Sequence, residues 1–142
     1  MITAIVKSAA TVNDNVLAQG IMTQMNAALA SLLADNMVGL SLAVGDTQRI
    51  GGPEITVSVT YDSGAGGVIT NPYKIQVIQA TSGDALAAAI NAFIAGLVGG
   101  WVTPIRIAYA PGGTGGMTSP YFACLLYNDD ATDGAANWVG EA

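Results

Sequence analysis

Two hydrophobic rhythms run along this chain. Over "TVNDNVLAQGIMTQMNAALASLLADN", Val12, Val16, Ile21, Met25, Leu29, Leu32 and Leu33 recur every three to four residues, the spacing of a helix with one buried face. Thr11 ahead of Asp14 resembles a capping box with a shortened acid. The spacing predicts a helix over about 12–35, with Gly20 inside it at a cost of about 1 kcal/mol against Ala. A second helical stripe, Leu86, Ile90, Phe93, Ile94 and Leu97, lies in "TSGDALAAAINAFIAGLVGG". Ser82 or Thr81 can cap it, Asp84 suits its positive end, and Gly99-Gly100 stops it, which predicts a helix over about 83–98.

Elsewhere the period is two. In "EITVSVTYD", Ile55, Val57, Val59 and Tyr61 face one way while Thr56, Ser58 and Thr60 face the other, as in a half-buried strand. "ITAIV", "GLSLAVG", "YKIQVIQA", "WVTPIRIAYAP" and "SPYFACLLYND" read as further strands. The order β-α-β-β-β-α-β-β predicts an α+β fold, a mostly antiparallel sheet with two helices. No composition shift marks a boundary and no long-period repeat is visible, so residues 1–142 are expected to form a single domain. Its Gly/Ala-rich C-terminal tail, about 129–142, has Trp138 and Val139 as anchors.

Composition changes the picture of the surface. Only 10% of residues are charged while 51% are apolar, against about 25% charged in an ordinary domain. So little charge implies a surface covered in large part by copies of the chain or by other partners. The net charge is −6, and the four bases, Lys7, Arg49, Lys74 and Arg106, are scattered. Direct nucleic-acid binding needs several clustered phosphate contacts, so none is expected.

The residue inventory argues against an enzyme. No histidine is present, which removes the commonest general base and metal ligand and any Ser-His-Asp triad. Cys124 sits in "YFACLLY" and reads as a buried thiol. Glu54 and Asp62 stand at opposite ends of one strand, too far apart for paired-carboxylate chemistry. No cofactor is expected.

Two loops invite binding readings. "APGGTGGMTSP" lacks the Lys and the following helix of a phosphate loop. It is read instead as a long connection whose tip inserts into a partner, making Gly112, Gly113, Gly115, Gly116 and Met117, together with Trp138, interface candidates. "NDDATDG" offers hard oxygen ligands, with Asn128, Asp130 and Asp133 as calcium candidates. The competing reading there is a solvated turn after a strand.

The segment from Ala85 to Ile105 carries no charge and is long enough to span a bilayer. Gly99-Gly100, Pro104 and Asn91 favour a helix, a break and a strand instead. A membrane role is therefore not expected, and a small membrane protein spanning 85–105 is the last alternative. The start "MITAIVKSAA" lacks the basic lead and long apolar core of a secretory signal, so no leader is expected.

"YKIQVIQATSGDALAAAINAFIAG" resembles stretches in tailed-phage structural proteins, especially the tail sheath and tail tube families. The wider style also resembles small phage virion proteins: few charges, no histidine, short alternating strands and Gly-rich loops. Capsid decoration (cement) proteins and tail or neck components are the size match. The resemblance implies a virion location, a homo-oligomeric structural role, and contacts with copies of itself and the major capsid protein. It implies no catalytic residue. A decoration subunit stabilising the shell is the first expectation and a tail or neck component the second. An extracellular adhesion or ligand-binding module using "NDDATDG" is a third.

Overall fold

The alternating pattern of Glu54–Asp62 makes a central strand. Ile55, Val57 and Val59 are fully buried on one face, while Thr56, Ser58 and Thr60 lie partly exposed on the other. The structure, a computed structural model, describes residues 1–10, 16–45, 54–109 and 119–140. Its elements in order are β1 (Ile2–Ala10), α1 (Leu17–Leu29), β2 (Asn36–Val44), β3 (Glu54–Asp62), β4 (Lys74–Ala80), α2 (Gly83–Ala95), β5 (Trp101–Tyr109), β6 (Tyr121–Asn128) and α3 (Ala131–Ala136).

The fold is α+β and the elements from β1 to β6 follow the predicted order, but with two sheets where one was expected and a third helix, α3, in the segment expected to be a tail. The six strands divide between two antiparallel sheets, ordered β1-β3-β2 and β4-β6-β5. Helix α1 ends at Leu29, short of the predicted 35. The apolar rhythm outruns the helix because Leu32 and Leu33 still pack on the core from the turn that follows. Ser82 caps α2, accepting the Ala85 N–H at 3.1 Å. The third helix, α3, is capped by Asp130, whose Oδ1 accepts from Thr132 N at 2.9 Å and Asp133 N at 3.3 Å. Beyond it the chain returns to β2. Met37 N donates to Asn137 O at 2.7 Å and Val139 N to Met37 O at 3.0 Å.

No long repeat was legible in the sequence, yet the fold is a repeat. Each half runs strand, helix, strand, strand, and in each the third strand pairs with both others. In each half the second strand carries a bulge of one extra residue just after its second position. The breaks fall between Met37 and Gly39 and between Val102 and Ile105. The registers then match. Leu40, Leu42 and Val44 oppose Val59, Val57 and Ile55, while Ile105, Ile107 and Tyr109 oppose Leu125, Ala123 and Tyr121. The helices match too, since Met25 and Ile90 precede their next strands, Asn36 and Trp101, by the same number of residues.

The two halves dock front to back. The helix-bearing face of the first half (α1, β3 and the Leu40 side of β2) packs on the face of the second sheet that α2 leaves free. There it meets Ile75, Val77, Phe122, Cys124 and Leu126. On the opposite face of that sheet, α2 covers Ala80, Ala123 and Leu125 with Leu86 and Ile90. Strand β6 is therefore buried on both sides, which explains its unbroken apolar run "FACLL". The accessible surface is 6777 Å² for 14.3 kDa, close to the ~6800 Å² expected of a compact monomer of that mass.

Candidate functional site

The calcium candidates come together, but as part of the framework. Asn128 is buried; its Oδ1 accepts from Asp130 N at 2.8 Å and its Nδ2 donates to Asn71 O at 2.9 Å. Asp130 caps α3. Asp133 Oδ2 accepts from Thr70 N at 2.7 Å and Asn71 N at 2.8 Å. The oxygens named here are thus engaged in holding the backbone of the 70–71 bend and the start of α3. Among the described residues no group of three acids or cysteines stands close enough to hold a metal.

The same region holds a polar network invisible in the sequence. Tyr73 is buried, its OH donating to Gly134 O at 2.8 Å and accepting from Asn137 N at 3.2 Å. Burial pushes its phenol up to about 12, with Asp133 adding to the rise and the Asn137 N–H opposing it. Asn137 clasps Gly67, accepting from its N–H at 3.1 Å and donating to its O at 2.6 Å. Trp101 stands edge-on to Tyr73 at 5.7 Å and tilted against Trp138 at 6.1 Å. Trp138, an interface candidate, is thus half-buried against the core. Gly112, Gly113, Gly115, Gly116 and Met117 lie outside the described residues. The predicted buried thiol is found: Cys124 is fully buried, and burial pushes it up to about 12.

A shallow cavity of about 190 Å³ lies on the outer face of the first sheet at its β2 edge, lined by Gly39, Leu40, Ser41, Ser58, Thr60 and Arg106. Small-molecule sites usually run to about 300–1,000 Å³. Arg106 reaches over β2 and donates from Nε to Leu40 O at 2.8 Å. The hydroxyls around it pair with one another, Ser41 with Ser58 and, further along, Ser8 with Thr56 at 2.9 Å. The cavity is thus lined by paired hydroxyls and one guanidinium.

The surface is more telling. Along β5, Ile105, Ile107 and Tyr109 share the α2 side of their sheet and stand 39%, 64% and 52% exposed. On the same side of that sheet, α2 and the residues after it leave Ile94 at 37% and Val98 at 94%. Contiguous exposed apolar side chains of this kind mark contact surfaces. Ile2 and Val6, at 60% and 58%, point outward from the first sheet. The uncharged segment 85–105 is shared between α2 and β5, which corrects the alternative of a span there. No described helix is long and apolar enough to cross a membrane. No family model, curated protein or solved structure matches the chain.

Proposed function

We propose that this chain is a non-enzymatic structural subunit of a tailed-phage virion, acting through repeated contacts with copies of itself and with the major capsid protein. A decoration subunit stabilising the shell is the first placement. The observation that supports it is the apolar ridge of Ile105, Ile107 and Tyr109, left uncovered on a molecule whose own core is closed. The sparse charge fits the same role, since burying uncharged faces avoids the desolvation cost of ions. The tail or neck placement draws on the same ridge. The ligand-binding alternative is the less favoured reading, because Asn128 Oδ1, Asp130 Oδ1 and Asp133 Oδ2 accept from backbone N–H groups of the framework.

The test is sedimentation of the protein with purified phage heads and, separately, tails through a density gradient. Co-migration with heads is the expected result, and co-migration with tails alone moves the assignment to the tail. A chain that stays at the top of both gradients overturns the virion reading.

A further inference from the structure

We propose that copies of this chain associate head to tail, the α2/β5 face of one copy seated on the outer face of the β1-β3-β2 sheet of the next. The contact repeats between molecules the docking that joins the two halves within one molecule. It deepens the assembly reading by naming the partner of the exposed ridge as a second copy.

The warrant is the mismatch between equivalent positions of the two halves. In the first half the helix-bearing face is sealed by the second half: Leu29 is 0% exposed and Leu40 is 4%. Their counterparts in the second half, Ile94 and Ile105, are 37% and 39% exposed. Leu33, Leu42 and Val44 pack on the core, while their counterparts Val98, Ile107 and Tyr109 stand in the open. The second half thus carries the same docking face without its seat. The seat that the repeat prescribes is the back of the next first-half sheet. In this molecule that back is open along β1, where it carries Val6 and Ala4, and half-buried along β3, with serines and threonines between and Arg106 reaching over its β2 edge.

One polar contact can be placed by register. Asn26 on α1 makes two bonds to the backbone of Ile75 on the edge strand β4. Its counterpart on α2 is Asn91, which is exposed. Ile75 opposes Leu126 as Ala4 opposes Thr60, and Thr60 and Leu126 hold equivalent positions on the two central strands. Asn91 of one copy is therefore aimed at the backbone of Ala4 on the edge strand β1 of the next. Such a contact joins two different surfaces, so it closes into a ring or continues as a filament instead of stopping at a dimer.

The test uses Ala4→Cys and Asn91→Cys, both exposed positions, with a short bis-maleimide. The native Cys124 is fully buried and stays out of the reaction. The mixture of the two single variants is expected to give covalent dimers, the double variant a ladder, and each single variant alone neither. Adding Ile107→Asp is expected to reduce the ladder about tenfold or more, as loss of an interface anchor does. Circular dichroism confirms that each variant folds. Asn91→Cys alone crosslinking as well as the mixture, or the double variant giving no ladder, overturns the proposal. A ladder without capsid binding counts only against the virion reading, and capsid binding without a ladder counts only against head-to-tail contact.

Discussion

Asn26, on α1, satisfies both backbone groups of Ile75 on β4: its Oδ1 accepts the Ile75 N–H at 2.8 Å and its Nδ2 donates to the Ile75 O at 3.3 Å. The side chain behaves as one more residue of strand, closing the sheet edge where the two halves meet. Asn26→Leu leaves both groups unpaired in a half-buried place. An unsatisfied buried polar group costs about 1–3 kcal/mol. The urea midpoint is expected to fall accordingly, and Asn26→Asp, which keeps the acceptor, should lose less. A variant as stable as the parent would show that Asn26 does not hold this edge.

Gly20 lies in the first turn of α1 over Ala9, and an added Cβ would sit 3.7 Å from the Ala9 Cβ, an ordinary contact. The backbone there is helical, so glycine brings entropy cost without a geometric need. Gly20→Ala is expected to stabilise the protein by about 0.5–1 kcal/mol, read as a higher melting temperature. Destabilisation would mean that α1 and β1 lie closer together than described.

Gly134 presents the opposite case. It is buried in α3, and a Cβ there would overlap the Cβ of Trp101. Its carbonyl also receives the Tyr73 hydroxyl at 2.8 Å. Gly134→Ala must push Trp101 or α3 aside and is expected to cost about 1–3 kcal/mol. Tyr73→Phe keeps the packing but leaves Gly134 O and Asn137 N short of a partner. A loss of about 1–3 kcal/mol is expected there too. Near-UV circular dichroism, sensitive to Trp101, should change in the glycine variant and much less in the tyrosine one.

Alkali should loosen the fold from one direction. Cys124 and Tyr73 are each held at about 12 in the folded chain, against ordinary values of 9.0 and 10.0. Both are neutral when protonated, so the unfolded chain ionises first. Their contribution is whole below pH 9 and declines from there towards 12, with a limiting slope of about 1.4 kcal/mol per pH unit for each group. Lys74, raised chiefly by its hydrogen bond to Asp129, adds a small exposed contribution that is lost as pH rises through its folded value. The melting temperature should therefore drop above pH 9, and Cys124→Ala should move the onset towards 10. A flat profile from pH 8 to 11 would contradict this account.

The parts legible in the sequence were those set by local burial. Ile55, Val57 and Val59 alternate with threonine and serine because one face of β3 meets the core and the other meets water. The stripe Leu86 and Ile90 announced α2, and Ser82 announced its start. The parts that were missed depend on partners distant in sequence. Asp133 was open to two readings, calcium candidate or turn acid, and nothing nearby in sequence reveals that Thr70 and Asn71 present their N–H groups to it. The repeat was hidden because equivalent strands answer to different neighbours. Thr56, Ser58 and Thr60 face outward where Phe122, Cys124 and Leu126 are sealed beneath the first half. The pattern of polarity diverged while the hydrogen-bond register did not.

Strand β6 has a consequence for how the protein is made. It follows all the other described strands in the chain, and it forms the middle of the second sheet and the wall of both apolar clusters. The first half thus emerges with the face formed by α1, β2 and β3 only partly covered, because Phe122, Cys124 and Leu126 belong to the surface that seals it. A nascent chain stopped anywhere before Asn128 should remain sensitive to protease throughout. Closure of the core during translation therefore waits for β6, although the plan of the molecule is two similar modules in series.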